Sequence, residues 1–188
     1  MIEIYYPQML VFISILWVLV RGIYAVKNKG VNFKRELQLM LVYICIIVVV
    51  RFTFCPFFKV DGRIQPLVFD SANAFPFRIN WIPFVNLLDY PTKSDILLNI
   101  IGNTTMFIPL GVVWPVVFKE LNTHVKVIAA GIGVSFCIEI LQLPFYDRVS
   151  DVDDLTLNSV GFVVGYLLYL LTRSGKRKRS NKRSIIYE

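Results

Sequence analysis

Five long apolar stretches alternate with short polar segments along the chain. A helix needs on the order of 20 mostly apolar residues to cross a bilayer, and polar ends can complete a slightly shorter one. The pattern therefore predicts an all-α, polytopic membrane helix bundle with about five transmembrane helices. The predicted spans are Ile4–Val20, Leu37–Phe54, Ile96–Phe118, Val127–Leu143 and Leu155–Leu171.

The composition agrees with this pattern. Hydrophobic residues make up 56% of the 188 positions, aromatic residues make up 14%, and the mean hydropathy is +0.61. These values are too apolar for a soluble domain of this size. The length allows one compact unit, so we predict a single membrane domain over residues 1–188.

The net charge of +7 is concentrated in particular loops. Basic residues cluster after the first span, after the third span and in the tail 172–188. Because cytoplasmic loops of membrane proteins are enriched in Lys and Arg, the N-terminus is predicted outside and the basic tail in the cytoplasm. No nucleic-acid partner is expected, because the basic tail lacks a folded reader module.

The predicted outer loop 55–94 is rich in aromatic residues and proline. It is too broken by proline to cross a membrane, and its aromatic side chains suit the membrane interface. We expect short amphipathic interfacial helices in this loop. The alternative is an aromatic belt with no further purpose.

Charged residues inside two spans mark a candidate site. Glu139 lies in the fourth span and Arg51 in the second, and a rise of 1.5 Å per residue places them at a similar depth of roughly 20 Å. Ionisable residues within a membrane are expensive and usually find partners. The sequence therefore predicts an Arg51–Glu139 ion pair or a polar bridge between them.

Other polar residues cluster at the same predicted depth. Asn99 and Asn103 share one face of the third span, and Asp154 and Asn158 share one face of the fifth, above the small pair Gly161/Gly165. An outward-facing polar site is predicted, and the alternative is a buried hydrogen-bond network that only fixes helix packing. The predicted ligand-binding residues are Asn99, Asn103, Gln142, Arg148, Asp154 and Asn158.

Three aspartates precede or open the fifth span, at Asp151, Asp153 and Asp154. Clusters of carboxylate oxygens suit Mg²⁺ or Ca²⁺, so these residues are a candidate divalent-cation site. The alternative, which we favour, is that they cap the N-terminus of the fifth span.

Several motifs follow one another along the chain. They are Arg51-Phe-Thr53, Asn80-Trp81-Ile82-Pro83-Phe84, Asn99-Ile-Ile-Gly102-Asn103, Phe107, Pro109-Leu110-Gly111, Glu139-Ile-Leu-Gln142, Arg148, Asp151-Val-Asp153-Asp154, Asn158 and Gly161. Together and in this order they resemble the VanZ-like family of bacterial integral membrane proteins, over about residues 40–171. The resemblance implies a bacterial cell-membrane location and a link to resistance against the glycopeptide teicoplanin.

The leading functional hypothesis is a membrane site that binds or acts on an envelope lipid or a lipid-linked cell-wall precursor. Glu139 and Arg51 are the candidate catalytic residues: Glu139 would act as a general base, while Arg51 and Arg148 would pair with phosphate. The alternatives are a non-enzymatic binding or accessory protein of the envelope machinery, or a small transporter.

The predicted topology has a direct test. With the native cysteines replaced, a cysteine introduced at position 151 should react with a membrane-impermeant maleimide on intact cells, and one at position 122 should not, because only the loop with position 151 is predicted outside. Labelling at 122 with protection at 151 would invert the topology.

Overall fold

The computed structural model describes residues 2–55, 59–60, 63–70, 75–146 and 148–186. Within these ranges five helices are long and apolar enough to cross a membrane. The predicted helix bundle is therefore confirmed, and each of the five predicted spans coincides with one of these helices apart from one or two residues at an end. In chain order the elements are β1 (Ile2–Ile4), α1 (Tyr6–Lys27), α2 (Phe33–Phe54), β2 (Lys59–Val60), β3 (Arg63–Ile64), β4 (Leu67–Phe69), β5 (Ile79–Asn80), α3 (Val85–Leu88), α4 (Lys93–Val117), α5 (His124–Gln142), β6 (Ser150–Asp151) and α6 (Val152–Ile186).

Three of the spanning helices begin at a polar capping residue. The side chains of Asn32, Thr92 and Thr123 precede α2, α4 and α5, and each accepts a hydrogen bond from the backbone N–H three residues later. Such a cap satisfies one of the N–H groups that a helix start leaves without an intrahelical partner. The helices therefore start a few residues before their apolar cores, which explains why the observed spans exceed several of the predicted ones.

The tightest packing in the bundle is between α4 and α6. A methyl group added at Gly161 would overlap the backbone carbonyl of Thr104, and one added at Gly165 would overlap that of Ile108. Small residues at such positions allow two membrane helices to approach backbone to backbone. The buried side chain of Phe162 lies between these two glycines and contributes to the core.

Helix α1 lies at the edge of the bundle. None of its residues is buried, and it contacts the rest through α2. The Ser14 and Tyr43 hydroxyl oxygens are 2.6 Å apart, the rings of Trp17 and Tyr43 have centroids 5.3 Å apart, and Arg21 forms a salt bridge with Glu36. The four-helix core therefore consists of α2, α4, α5 and α6.

The outer loop differs from the sequence-based prediction. Its described residues form short strands and one four-residue helix, α3, where amphipathic helices were expected. Strand β4 pairs antiparallel with β1, and β5 pairs in parallel with β6. Prolines interrupt the loop sequence and prevent long helices there. The backbone groups of β4 and β5 are instead hydrogen-bonded to strands from distant parts of the chain.

The glycine contacts between α4 and α6 predict a sharp difference between two alanine substitutions. Gly161→Ala should lower the stability against unfolding in detergent by about 1–3 kcal/mol, because the added methyl group forces the two backbones apart. Gly133→Ala on α5 is the matched control: no atom lies within 4 Å of the added methyl group, and alanine favours a helix over glycine by about 0.5–1 kcal/mol. Equal stability of the two variants would contradict the close packing.

Candidate functional site

Four helices meet around a polar cavity of about 190 Å³ at one end of the bundle. The C-terminal ends of α2 and α5 and the N-terminal halves of α4 and α6 all contribute side chains to it. The cavity is lined by Phe52, Thr53, Tyr90, Asn99, Asn103, Met106, Glu139, Gln142, Arg148, Val149, Asp154 and Asn158.

Glu139 is the buried carboxylate of this cavity. Only 4% of its surface is exposed, although it lies one turn before the end of α5. Its Oε2 atom accepts a hydrogen bond of 2.8 Å from the backbone N–H of Asp151. The segment between α5 and α6 therefore folds back over the helix end and supplies the polar partner that this carboxylate needs away from water.

The predicted Arg51–Glu139 ion pair is wrong. Arg51 instead donates from Nη1 to the backbone carbonyl of Cys55 at 2.7 Å, and its guanidinium lies 5.4 Å from the ring centroid of Tyr6. Arg51 and Glu139 lie at a similar depth but do not pair with each other. The carboxylate of Glu139 accepts from the backbone N–H of Asp151, and Arg51 donates to a carbonyl at the end of α2. Arg51 is not among the residues that line the cavity, and its catalytic role stays a prediction.

The last carbonyl groups of α2 receive donors from three side chains. Gln142 Nε2 donates to the carbonyl of Thr53 at 3.3 Å, and Arg148 Nη2 donates to that of Phe54 at 2.8 Å. Together with Arg51, these residues satisfy carbonyl groups that a helix end leaves without intrahelical partners. The two arginines that the sequence assigned to phosphate binding thus both hold the end of α2.

A chain of hydrogen bonds crosses from α4 to α6. Asn103 Nδ2 lies 2.5 Å from Asp154 Oδ1 and 3.4 Å from Asn99 Oδ1, and Asn99 Nδ2 donates to the Tyr90 hydroxyl at 2.9 Å. Burial, followed by the negative charge of Asp154, raises the pKa of the Tyr90 phenol above its ordinary value. The phenol is therefore neutral at physiological pH.

The other two aspartates hold backbone groups in place. Asp151 Oδ1 accepts a hydrogen bond from the N–H of Asp153 at 2.9 Å, which is the geometry of a helix N-cap for α6. Both oxygens of Asp153 accept from the N–H of Phe84, at 2.8 and 3.0 Å, and Asn80 Nδ2 lies 3.2 and 3.3 Å from the oxygens of Asp151. These contacts fasten the outer loop to the start of α6.

The predicted divalent-cation site at Asp151, Asp153 and Asp154 is not assembled. Within the ranges that the structure describes, no group of three or more His, Cys, Asp or Glu side chains is arranged to hold a metal ion. The three carboxylates point to different partners: a helix terminus, a loop amide and Asn103. All three aspartates also line a second cavity of about 200 Å³, which shares Tyr90, Asn99, Val149 and Asp154 with the first.

Two amide oxygens in the cavity wall have no hydrogen-bond partner among the described residues. They are Gln142 Oε1 and Asn158 Oδ1. Gln142 is 4% exposed and Asn158 is 1% exposed, so neither side chain lies open to bulk solvent. Because buried polar atoms are normally hydrogen-bonded, these oxygens and the Nε of Arg148, a third such atom in the same wall, are polar atoms that the described residues leave unsatisfied.

Residues 40–173 match the family model described as VanZ/LLP1. The chain belongs to this family. Over 125 residues it is 33% identical to protein VanZ of Enterococcus faecium, an alignment that covers 66% of this chain and 73% of that protein. No solved structure matches the chain significantly. The resemblance drawn from the motifs is thus confirmed, and the protein is a multi-pass membrane protein with five candidate spans.

The VanZ-family region covers α4 and α5 in full, α2 from residue 40 and α6 up to residue 173, and it excludes α1. Every predicted ligand-binding residue lines the cavity, and so does Glu139. Arg51 belongs to the family region but is not among the lining residues. Sequence reasoning missed Tyr90, Met106 and Val149 as lining residues, and it missed Asn80 and Phe84 as partners of the aspartates. The motif from Asn80 to Phe84 marked both residues in the sequence, but a motif alone does not show that they contact Asp151 and Asp153.

Proposed function

We propose that this VanZ-family protein binds the head group of an envelope lipid or a lipid-linked cell-wall precursor in the polar cavity. The observation that carries the proposal concerns Gln142 and Asn158, two buried residues that line a cavity formed by four spanning helices. The amide oxygens of both have no hydrogen-bond partner among the described residues. Membrane proteins rarely bury polar groups between helices without a structural or functional use for them.

The position of the cavity suits a lipid head group. At 1.5 Å per residue, Asn158 lies about 9 Å along α6 from its first residue, and Asn103 lies about 15 Å along α4. A head group at this depth would sit just inside the helix ends, while its acyl chains remained among the apolar outer faces of the helices. With the proposed topology, the cavity opens toward the outside of the cell, where lipid-linked cell-wall precursors are used.

The geometry supports binding more directly than catalysis. One oxygen of Glu139 is engaged by the N–H of Asp151, and Arg51 is not part of the cavity. Thr53 and Tyr90 are the hydroxyl-bearing residues of the described lining, and Thr53 Oγ1 lies 3.8 Å from the sulfur of Met106. A role as a binding or accessory protein of the envelope machinery therefore needs no further groups, whereas an enzyme would have to use Glu139 or Asp154, the carboxyl groups of the described lining, as its base.

A comparison of variants tests lipid binding. Glu139→Gln retains an acceptor for the Asp151 N–H but removes the charge, and Asn158→Leu retains the volume but removes the amide. Each should reduce copurified lipid, measured by mass spectrometry, by about three- to tenfold, because a ligand loses roughly one hydrogen bond. Thermal stability should stay close to that of the unaltered protein.

Ser14→Ala, at the contact between α1 and α2, is the control and should keep the full amount of lipid. If Glu139→Gln and Asn158→Leu unfold while the control does not, the polar groups form a structural network and the binding proposal fails. It also fails if both variants fold and retain as much lipid as the unaltered protein.

We also propose that the chain reduces susceptibility to teicoplanin, on the strength of its similarity to Enterococcus faecium VanZ. Expression in a susceptible bacterium should raise the minimum inhibitory concentration of teicoplanin, and Asn158→Leu at an equal protein level should abolish the increase. An unchanged inhibitory concentration with the unaltered protein present in the membrane would contradict this proposal. Such a result would not bear on lipid binding, which is tested separately by the lipid that copurifies with the protein.

A further inference from the structure

We propose that a lipid enters the polar cavity sideways, from the adjoining leaflet of the bilayer, past the one-turn helix α3. This inference rests on the proposed function, since it gives the route to that cavity. The segment 81–88 of the outer loop, which includes α3, contains no charged residue. Its exposed apolar side chains include Trp81, Ile82, Phe84, Val85 and Leu88, and the exposed fraction reaches 72% at Trp81.

This exposed segment continues the membrane-facing surface of the bundle. Helix α3 contacts α4, on which Leu97, Leu98 and Ile101 are exposed one to two turns after the helix start. Charged residues flank the segment on both sides, at Arg78 and Asp89. An apolar run with a tryptophan between charged residues suits the boundary between lipid and water. The partner that fits this surface is therefore the interface of the bilayer.

Helix α3 separates this surface from the second cavity. Leu87 lines that cavity and is 8% exposed, whereas its neighbour Leu88 is 70% exposed. The second cavity adjoins the polar cavity, because Tyr90, Asn99 and Asp154 line both. A lipid that passes α3 keeps its acyl chains in the bilayer, and only its head group moves into the polar space. Entry from the aqueous side would instead expose the chains to water.

A buried carboxylate holds α3 against the start of α6. Both oxygens of Asp153 accept from the backbone N–H of Phe84, the residue that precedes α3. Phe84 has a φ of +68°, in the left-handed region that a bulky residue rarely adopts. Such a conformation persists only where surrounding contacts impose it, and a helix of four residues has little stability of its own. Helix α3 is therefore released when the contact with Asp153 opens.

Trp81 itself reports whether the segment lies in the membrane. Trp17→Phe and Trp114→Phe remove the other two tryptophans of the chain. The protein is then placed in phosphatidylcholine nanodiscs with or without bromine on the acyl chains. Bromine quenches tryptophan emission on contact, so brominated lipid should remove most of the Trp81 emission, whereas aqueous iodide should remove little of it.

Two variants that also carry Trp81→Phe provide the controls. Leu98→Trp places the reporter on the exposed apolar side of α4 and should respond to brominated lipid. Asn122→Trp places it at an exposed position between α4 and α5 and should respond to iodide. If Trp81 is quenched as Asn122→Trp is, the segment lies in water and the route past α3 is overturned.

A matched pair of alanine substitutions tests the route. Leu87→Ala shortens the side chain between α3 and the second cavity, and Leu88→Ala makes the same change on the exposed side. The protein with its copurified lipid is diluted into micelles of deuterated phosphatidylethanolamine and phosphatidylglycerol, and native mass spectrometry follows the replacement of bound lipid. Leu87→Ala should accelerate replacement about tenfold, because the closed wall loses a buried leucine side chain, and Leu88→Ala by less than about twofold.

Asp153→Asn tests the contact that holds α3. It keeps one oxygen for the N–H of Phe84 but removes the charge, so replacement should be about three- to tenfold faster. If this variant does not fold, the two leucine variants still decide the route.

The outcomes separate the route from the binding function. The cavity lipid is the part of the retained lipid that Asn158→Leu removes. Equal replacement rates of this lipid in Leu87→Ala, Leu88→Ala and the unaltered protein would overturn the route past α3 and leave the binding function in place. A folded, unaltered protein that retains no lipid, or lipid that Asn158→Leu does not reduce, would overturn both.

Discussion

The close approach of α4 and α6 is the contact on which the cavity depends. Gly161 and Gly165 bring the α6 backbone against the carbonyls of Thr104 and Ile108, a separation that no larger side chain would permit. About two turns toward the helix start, the same alignment sets Asp154 at 2.5 Å from Asn103. The two glycines fix the rotation of α6 about its axis against α4. This rotation determines the direction in which the polar residues at the start of α6 point, so the glycine contacts also position Asp154.

A second constraint is that a membrane offers no water to the ends of helices buried in protein. The C-terminal carbonyls of α2 and the N–H groups at the start of α6 need partners from within the chain. Gln142 and Arg148 serve the first set, and Asp151 serves the second. The loop between α5 and α6 supplies two of these three residues, so a segment of few residues closes the bundle and forms part of the cavity wall.

The sequence predicted the spans and the convergence of polar residues well, since both follow from periodicity along single helices. Asn99 and Asn103 had to share a face, and so did Asp154 and Asn158. What it could not predict was pairing between helices. Arg51 and Glu139 lie at a similar depth, but depth does not determine rotation about the helix axis. The sequence also does not show that the backbone N–H of Asp151 satisfies Glu139. The strands of the outer loop were missed for a related reason, because β5 is stabilised by a distant partner, β6.

The hydrogen-bond pattern divides the polar residues into two groups. Asp151 and Asp153 accept hydrogen bonds from backbone N–H groups. Their substitution would therefore first weaken the contact between the outer loop and the start of α6. Gln142 and Asn158 each present an oxygen without a partner among the described residues, although both are almost completely buried. Burial of an unsatisfied oxygen costs stability that a bundle built only for packing could recover with an apolar side chain. The proposed binding site therefore rests on the two neutral amides together with Arg148, whose Nε is a further buried atom of the cavity wall without a hydrogen-bond partner among the described residues.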